Sequence, residues 1–238
     1  MVERIPSGID GLDKILCGGF VKGSNVLVAG KSGTLKTSFC LSYLYEGAKR
    51  GEPGVFVSTE ETEDDLIEDA RAMFGWDLRD LVNKRLIKFV SMVPPYSAKE
   101  TNDVEKLIKA YVNDVITSIA SVSQEIGAKR IVIDSVSMIE MFIQNRYMSR
   151  IALMSILRNM KSLGATTMVT EGVPEKQMLT GDEALVEFVV DAVLKLDFVP
   201  SARDTRTLTV SKMRRTNHST LIHPFSLSPG GLRLLEIK

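Results

Sequence analysis

The sequence predicts an α/β protein: one doubly wound domain whose mostly parallel, twisted sheet is flanked by helices and closed by a β-rich C-terminal edge and hairpin. Three observations predict it. Apolar runs at Val26–Ala29, Val55–Val57 and Ile131–Ile133 alternate with amphipathic helical stretches, the pattern of parallel strands buried on both faces. No repeat, low-complexity tract or linker divides the 238 residues, a length that suits a single domain over 1–238 with a substantial core. The segment from Arg206 onward has β-type character and ends around a Ser228-Pro229-Gly230-Gly231 turn.

Composition narrows the class. Apolar residues make up 44% and charged residues 25%, which excludes disorder and predicts a soluble globular chain. Thirty acids balance thirty bases, so no global field recruits nucleic acid or anionic membrane, and any polyanion site must be local. No apolar run approaches the roughly 18 residues of a membrane span, and MVERIPSG lacks the apolar segment of a signal peptide. A cytoplasmic protein is therefore expected. Cys17 and Cys40 lack metal-ligand spacing and are expected to be reduced and buried.

In chain order, Asp10 to Leu16 is predicted to form a short helix between glycine turns, with Gly18-Gly19 ending it. Val26–Ala29 is a buried strand. Gly30, Ser32 and Gly33 make a flexible loop, and Lys36-Thr37 open a helix carrying Phe39, Leu41, Tyr43 and Leu44. After a turn at Pro53-Gly54, Val55 to Ser58 is a second strand leading to Thr59-Glu60-Glu61-Thr62. Glu63 to Phe74 is a helix whose first-turn acids suit its dipole. Arg85 to Val90 is a short strand, Pro94-Pro95 begin a loop, and Asn102 or Asp103 caps a long helix with Val104, Leu107, Ile108, Tyr111, Val112, Val115 and Ile119 on one face. Ile131-Val132-Ile133-Asp134-Ser135 is a buried parallel strand ending in an acid. Met148 to Leu163 is a helix ended by Gly164, and Thr166–Thr170, Val193–Phe198 and Arg206–Met213 are further strands.

Four constellations carry chemistry. Strand, glycine loop and Lys-Thr at a helix start form a P-loop: backbone N–H groups and the helix N-terminus bind phosphate, Lys36 reaches the β/γ oxygens, and the Thr37 hydroxyl ligates Mg²⁺. Leu35 stands where the pattern has glycine. Asp134, at the tip of an apolar strand far downstream, is the expected partner for the metal held by Thr37. Glu60 and Glu61 follow a strand at the ligand-binding edge of an open sheet, where one carboxylate orients or deprotonates a water attacking a γ-phosphate; the alternative is a solvated acidic turn. Lys212 and Arg214 share one face of a strand, either as γ-phosphate partners in cis or in a neighbour's site, or as a solvated basic edge. Lys31 is read as a phosphate-proximal surface lysine, and His218, by itself, as a surface histidine.

With these motifs in order, the chain resembles the KaiC-like branch of the RecA/RadA ATPase superfamily over nearly its whole length. SGIDGLDKILCGGF is similar to the family's glycine-punctuated lead-in, and GKSGTLKT lies at its Walker A position. That places nucleotide contacts on Gly30, Lys31, Ser32, Gly33, Thr34, Leu35, Lys36 and Thr37, with Ser38 following. VSTEET resembles its paired catalytic glutamates, here Glu60 and Glu61, and IVIDS its Walker B strand, ending at Asp134 and Ser135. VSKMRRTNH resembles the basic motif presented to the next subunit's ATP, falling on Lys212, Arg214, Thr216 and His218; Arg215 stands where the family often has glycine. HPFSLSPGGL resembles the closing hairpin. The resemblance implies a RecA-like P-loop NTPase core, ATP and Mg²⁺ as cofactors, and a homo-oligomeric ring, a hexamer, with each ATP between two subunits.

The leading expectation is thus a ring-forming ATPase, its activity weakened by Leu35. The alternatives are a hydrolysis-deficient, nucleotide-dependent scaffold and a RadA-paralogue-like single-stranded-DNA-binding module. Neutral net charge argues against strong DNA affinity but leaves a local basic loop open.

Overall fold

The computed structural model describes residues 2–94, 104–173, 185–199 and 202–235 of the 238. Its strands are β1 (Arg4–Ile5), β2 (Phe20–Val21), β3 (Asn25–Gly30), β4 (Gly54–Ser58), β5 (Ile87–Ser91), β6 (Arg130–Asp134), β7 (Thr166–Gly172), β8 (Ala192–Val199), β9 (Ala202–Met213), β10 (Ile222–Ser228) and β11 (Gly231–Leu234). Its helices are α1 (Leu12–Ile15), α2 (Lys36–Lys49), α3 (Glu63–Phe74), α4 (Leu78–Asn83), α5 (Val104–Ile126), α6 (Val136–Ile143), α7 (Arg146–Ser162) and α8 (Leu185–Val189).

Among the described residues, nine strands form one sheet in the order β11-β10-β9-β8-β3-β7-β6-β4-β5. Strands β8, β3, β7, β6, β4 and β5 run parallel, and β9, β10 and β11 add antiparallel. This is the mixed α/β fold with a β-rich C-terminal edge that the sequence predicts. Strand alternation divides the core. Val26, Val28, Phe56, Val132 and Met168 face Leu12, Phe39, Leu44, Leu66 and Leu78, residues of α1 to α4. Leu27, Ala29, Val55, Val57, Ile131, Ile133 and Val169 face Val115, Ile139, Leu153, Ile156 and Val186, residues of α5 to α8. Both faces are covered, so the strands are apolar throughout rather than alternating.

Local chemistry sets the element ends. Thr62 caps α3, accepting from Asp65 N while Asp65 reaches back to Thr62 N, and Gly75 closes the helix at φ 73°. Asn145 caps α7 by accepting from Met148 N, so the helix begins at Arg146, two residues before the predicted start. The first helix is shorter than predicted, since the left-handed Gly11 delays its start to Leu12. The expected loop from Pro95 and the Asn102 or Asp103 cap lie outside the described residues.

Three helices and the β1–β2 pair escape the sequence reading. α6 spans only the eight residues Val136–Ile143, and α4 and α8 are shorter still. Cys40 is buried as expected, but Cys17 is exposed. It occupies the turn after α1 at φ 56°, where its thiol reaches Asn217 O at 3.1 Å.

Candidate functional site

The C-terminal ends of β3, β4, β6 and β7 open into a cleft of about 520 Å³. Its lining includes Ser32, Gly33, Leu35, Lys36, Thr37 and Ser38 from the P-loop, Glu60 and Glu61 after β4, and Asp134 and Ser135 at the end of β6. The structure therefore brings three of the four predicted constellations into one cavity at the carboxyl edge of the parallel sheet.

The loop is built by its own hydrogen bonds. Thr34 donates through Oγ1 to Lys31 O at 2.7 Å, and Lys36 Nζ donates to Gly30 O and Lys31 O at 2.8 and 2.9 Å. Gly30, Lys31 and Thr34 thus shape the loop from outside the cleft. At Gly30 a Cβ would meet Leu196 O at 2.5 Å, so only glycine fits. From the β8–β9 side, Lys31 pairs with Asp197 at 3.1 Å and Arg206 Nε donates to Gly33 O at 3.0 Å. Leu35 sits at φ 71°, ψ 34°, the left-handed conformation that explains the pattern's glycine. Its carbonyl accepts from Phe39 N at 2.9 Å, and its side chain packs against the core beneath α2.

Opposite the loop, Asp134 accepts hydrogen bonds from Thr170 on β7 and from Thr37 on α2. Desolvation raises its carboxyl above the ordinary value; those bonds and the Lys36 charge oppose the rise, while Glu60 adds to it. Burial lowers the Lys36 amine, against the pull of Asp134 and Glu60. Desolvation raises Glu61 above 4.5, helped by Asp134, Asp69, Glu60 and Asp65. Both glutamates are positioned from the chain around them. Ser58 Oγ donates to Glu61 O at 2.6 Å and accepts from Glu61 N at 2.9 Å, and Ser135 Oγ donates to Glu60 Oε1 at 3.0 Å. Ser135 is itself locked to Thr59 by reciprocal bonds of 2.8 and 3.1 Å.

Hard oxygen donors facing each other across a lysine and a helix N-terminus fit a phosphate–Mg²⁺ pair. Among the described residues no group of three or more His, Cys, Asp or Glu side chains gathers for a metal. A metal here would take Thr37 and Asp134 and complete its shell from phosphate and water, as Mg²⁺ does.

The fourth constellation lies elsewhere. Lys212 and Arg214 line a separate cavity of about 540 Å³ with Glu187, Phe188, Lys195 and Ser211, and no P-loop residue lines it. Lys212 Nζ donates to Glu187 O and Val190 O at 2.9 and 2.8 Å, capping the end of α8. Arg214 pairs with Asp191 at 3.4 Å. Thr216 Oγ1 accepts from Arg4 at 3.0 Å, and His218 Nδ1 faces Ser219 O at 2.9 Å; neither lines the P-loop cleft. Arg215 has φ 59°, so this substitution, like Leu35, falls on a left-handed residue.

The cleft also holds residues that the sequence reading missed: Ser58, Asp69, Met73, Ser137 and Gly172, with Thr170 behind Asp134. Asp69 follows Asp65 by one helical turn and so shares its face, a legible signal. Ser137, which accepts from Gly172 N at 2.8 Å, and Thr170 need the β6–β7 pairing to be seen.

Comparison with known proteins gives a consistent picture. A family profile described as "ATPase: KaiC" matches residues 5–238. A UPF0273 protein of Aeropyrum pernix is 32% identical over 236 residues, covering 98% of this chain and 93% of that protein. The circadian clock oscillator protein KaiC of Synechococcus elongatus is 33% identical over 241 residues, covering 99% of this chain but 45% of that protein. The crystal structure of a KaiC-like protein from the hyperthermophilic archaeon Pyrococcus horikoshii superposes with a TM-score of 0.84 at 32% identity, covering 99% of this chain and 100% of that one.

Proposed function

The chain belongs to the KaiC ATPase family, and on that premise we propose that it binds Mg·ATP and hydrolyses it slowly at the subunit interfaces of a homo-oligomeric ring, a hexamer. The observation that carries the reading is the convergence of Lys36, Thr37, Asp134, Glu60 and Glu61 in one cleft, with Lys212 and Arg214 in another.

In this reading the loop N–H groups and Lys36 hold the β- and γ-phosphates. Thr37 and Asp134 hold the metal, which when bound offsets phosphate charge. Glu61 accepts the proton of the attacking water, its raised pKa making it a stronger base than an ordinary carboxylate once ionised. Glu60, fixed by Ser135, orients that water. Lys212 and Arg214 do not line the same chain's cleft, so in this reading their service to γ-phosphate charge comes from a second copy. The acidic rim of one cleft, with Glu60, Glu61 and Asp69, suits the basic lining of the other in a head-to-tail ring.

Light scattering at micromolar protein with saturating Mg·ATP, run beside phosphate release, tests this. Arg214→Glu is expected to lower turnover and assembly without unfolding the chain. Mixing it with Lys36→Ala is expected to restore part of the activity, because some interfaces then carry an intact loop and an intact arginine. Full turnover by a monomer overturns the shared site.

A further inference from the structure

Glu171 is buried at 5% exposure on β7, and its Oε2 has no hydrogen-bond partner among the described residues. It takes no part in the cleft chemistry, although its neighbour Gly172 lines the cleft. In sheet register Glu171 lies opposite Ala29, the P-loop strand residue, and Ala29 lies opposite Lys195, so the three form a row across β7, β3 and β8 on one face. Lys195 does not pair with Glu171. It pairs with Glu187 of α8 at 2.9 Å. The carbonyl of that same Glu187 receives Lys212.

We propose that Glu171 is a proton-operated latch on α8: as a neutral acid it leaves Lys195 to Glu187 and so fixes the helix end that holds Lys212, and on losing its proton to solvent it competes for Lys195 and loosens that end.

The surrounding charges favour the neutral form. Desolvation pushes the Glu171 carboxyl up to about 8, with Glu140 of α6 and Glu187 of α8 raising it and Lys195 of β8 opposing. Further out, burial raises the Glu140 carboxyl against the pull of Arg146, and the Arg150 guanidinium of α7 lies over the Phe188 ring at 5.7 Å. Ala29, on β3, contributes no charge. A group whose native pKa lies above its unfolded value gives stability that is complete below the unfolded pKa and lost as pH rises through the native one. The latch therefore opens on the alkaline side. It rests on the proposed ring only for what Lys212 serves.

Infrared difference spectroscopy of the full chain, wild type minus Glu171→Gln, reads the proton directly. A protonated-carboxyl C=O band present at pH 7 and lost with a midpoint near 8 is the expected result. Denaturant titration is expected to show wild-type stability falling relative to Glu171→Gln between about pH 4.5 and 8, and level above that. Turnover one unit above the midpoint is expected to drop roughly tenfold in wild type, following the neutral fraction, and to stay flat in Glu171→Gln. Absence of the band, a band that persists in the wild type to pH 10, or identical alkaline limbs in both proteins overturns the latch. If the band titrates but no ATP is hydrolysed, the ATPase reading fails and the proton site stands.

Discussion

Leu35→Gly tests where the strain of the P-loop resides. Leucine at φ 71°, ψ 34° carries about 1–2 kcal/mol of left-handed backbone strain, which glycine removes. Against this, the leucine side chain is half-buried on the core, and about half of the roughly 1.5–3 kcal/mol of a fully buried leucine is lost with it. Glycine also gains unfolded-state freedom worth about 0.4–1 kcal/mol. The terms nearly cancel, so stability is expected to move by less than about 1 kcal/mol. The sequence by itself predicts tighter ATP binding or faster hydrolysis for Leu35→Gly, unless the fold already holds the loop in its left-handed shape, in which case stability bears the cost. The bonds from Thr34, Lys36 and Phe39 favour the second case, because they hold that shape as part of the fold. Strain already carried by the fold is not relieved on binding, and the Mg·ATP Kd is expected to change by less than about threefold. Calorimetry with Mg·ATP, paired with urea denaturation, checks both values. A tightening of tenfold or more, about 1.4 kcal/mol, would place the strain in the binding step and refute the reasoning.

Three further outcomes are expected. Replacing Glu60 and Glu61 together with glutamine should suppress phosphate release by roughly 10²–10⁴-fold while Mg·ATP binding stays within a few fold; unchanged turnover would reduce them to a solvated turn. Because Glu61 must be ionised to accept a proton and its pKa is raised, turnover should climb with pH through a midpoint above 4.5, and Glu61→Gln should abolish that acid limb. Arg130, fully buried, donates to Glu52 at 2.6 and 2.9 Å and to Pro6 O and Tyr43 O at 2.9 and 2.7 Å. Arg130→Met strands these acceptors, with a loss of about 3–5 kcal/mol, and differential scanning should find Tm lowered by roughly 6–20 °C. A shift under 2 °C would mean the site repacks without them.

The sequence by itself determined what is local. A strand, a glycine loop and Lys36-Thr37 sit within one short segment, so their geometry follows from backbone chemistry, and the ends of α3 follow from Thr62 and Gly75. Asp134 was legible because an apolar strand needs a reason to end in an acid. The three cleft constellations could be anticipated because each follows a parallel strand, and parallel strands present their C-terminal ends to the same edge. What lies between strands was not legible. Thr170 reaches Asp134, and Gly172 reaches Ser137, only because β7 pairs with β6. Lys212 and Arg214 belong to another cavity because β9 adds antiparallel beyond β8, away from β6 and β4, a placement set by strand order. The exposure of Cys17 and the burial of the Glu171 oxygen without a partner among the described residues likewise depend on what the rest of the chain packs against them. Periodicity reports which face a residue takes, and only the tertiary structure decides what meets it there.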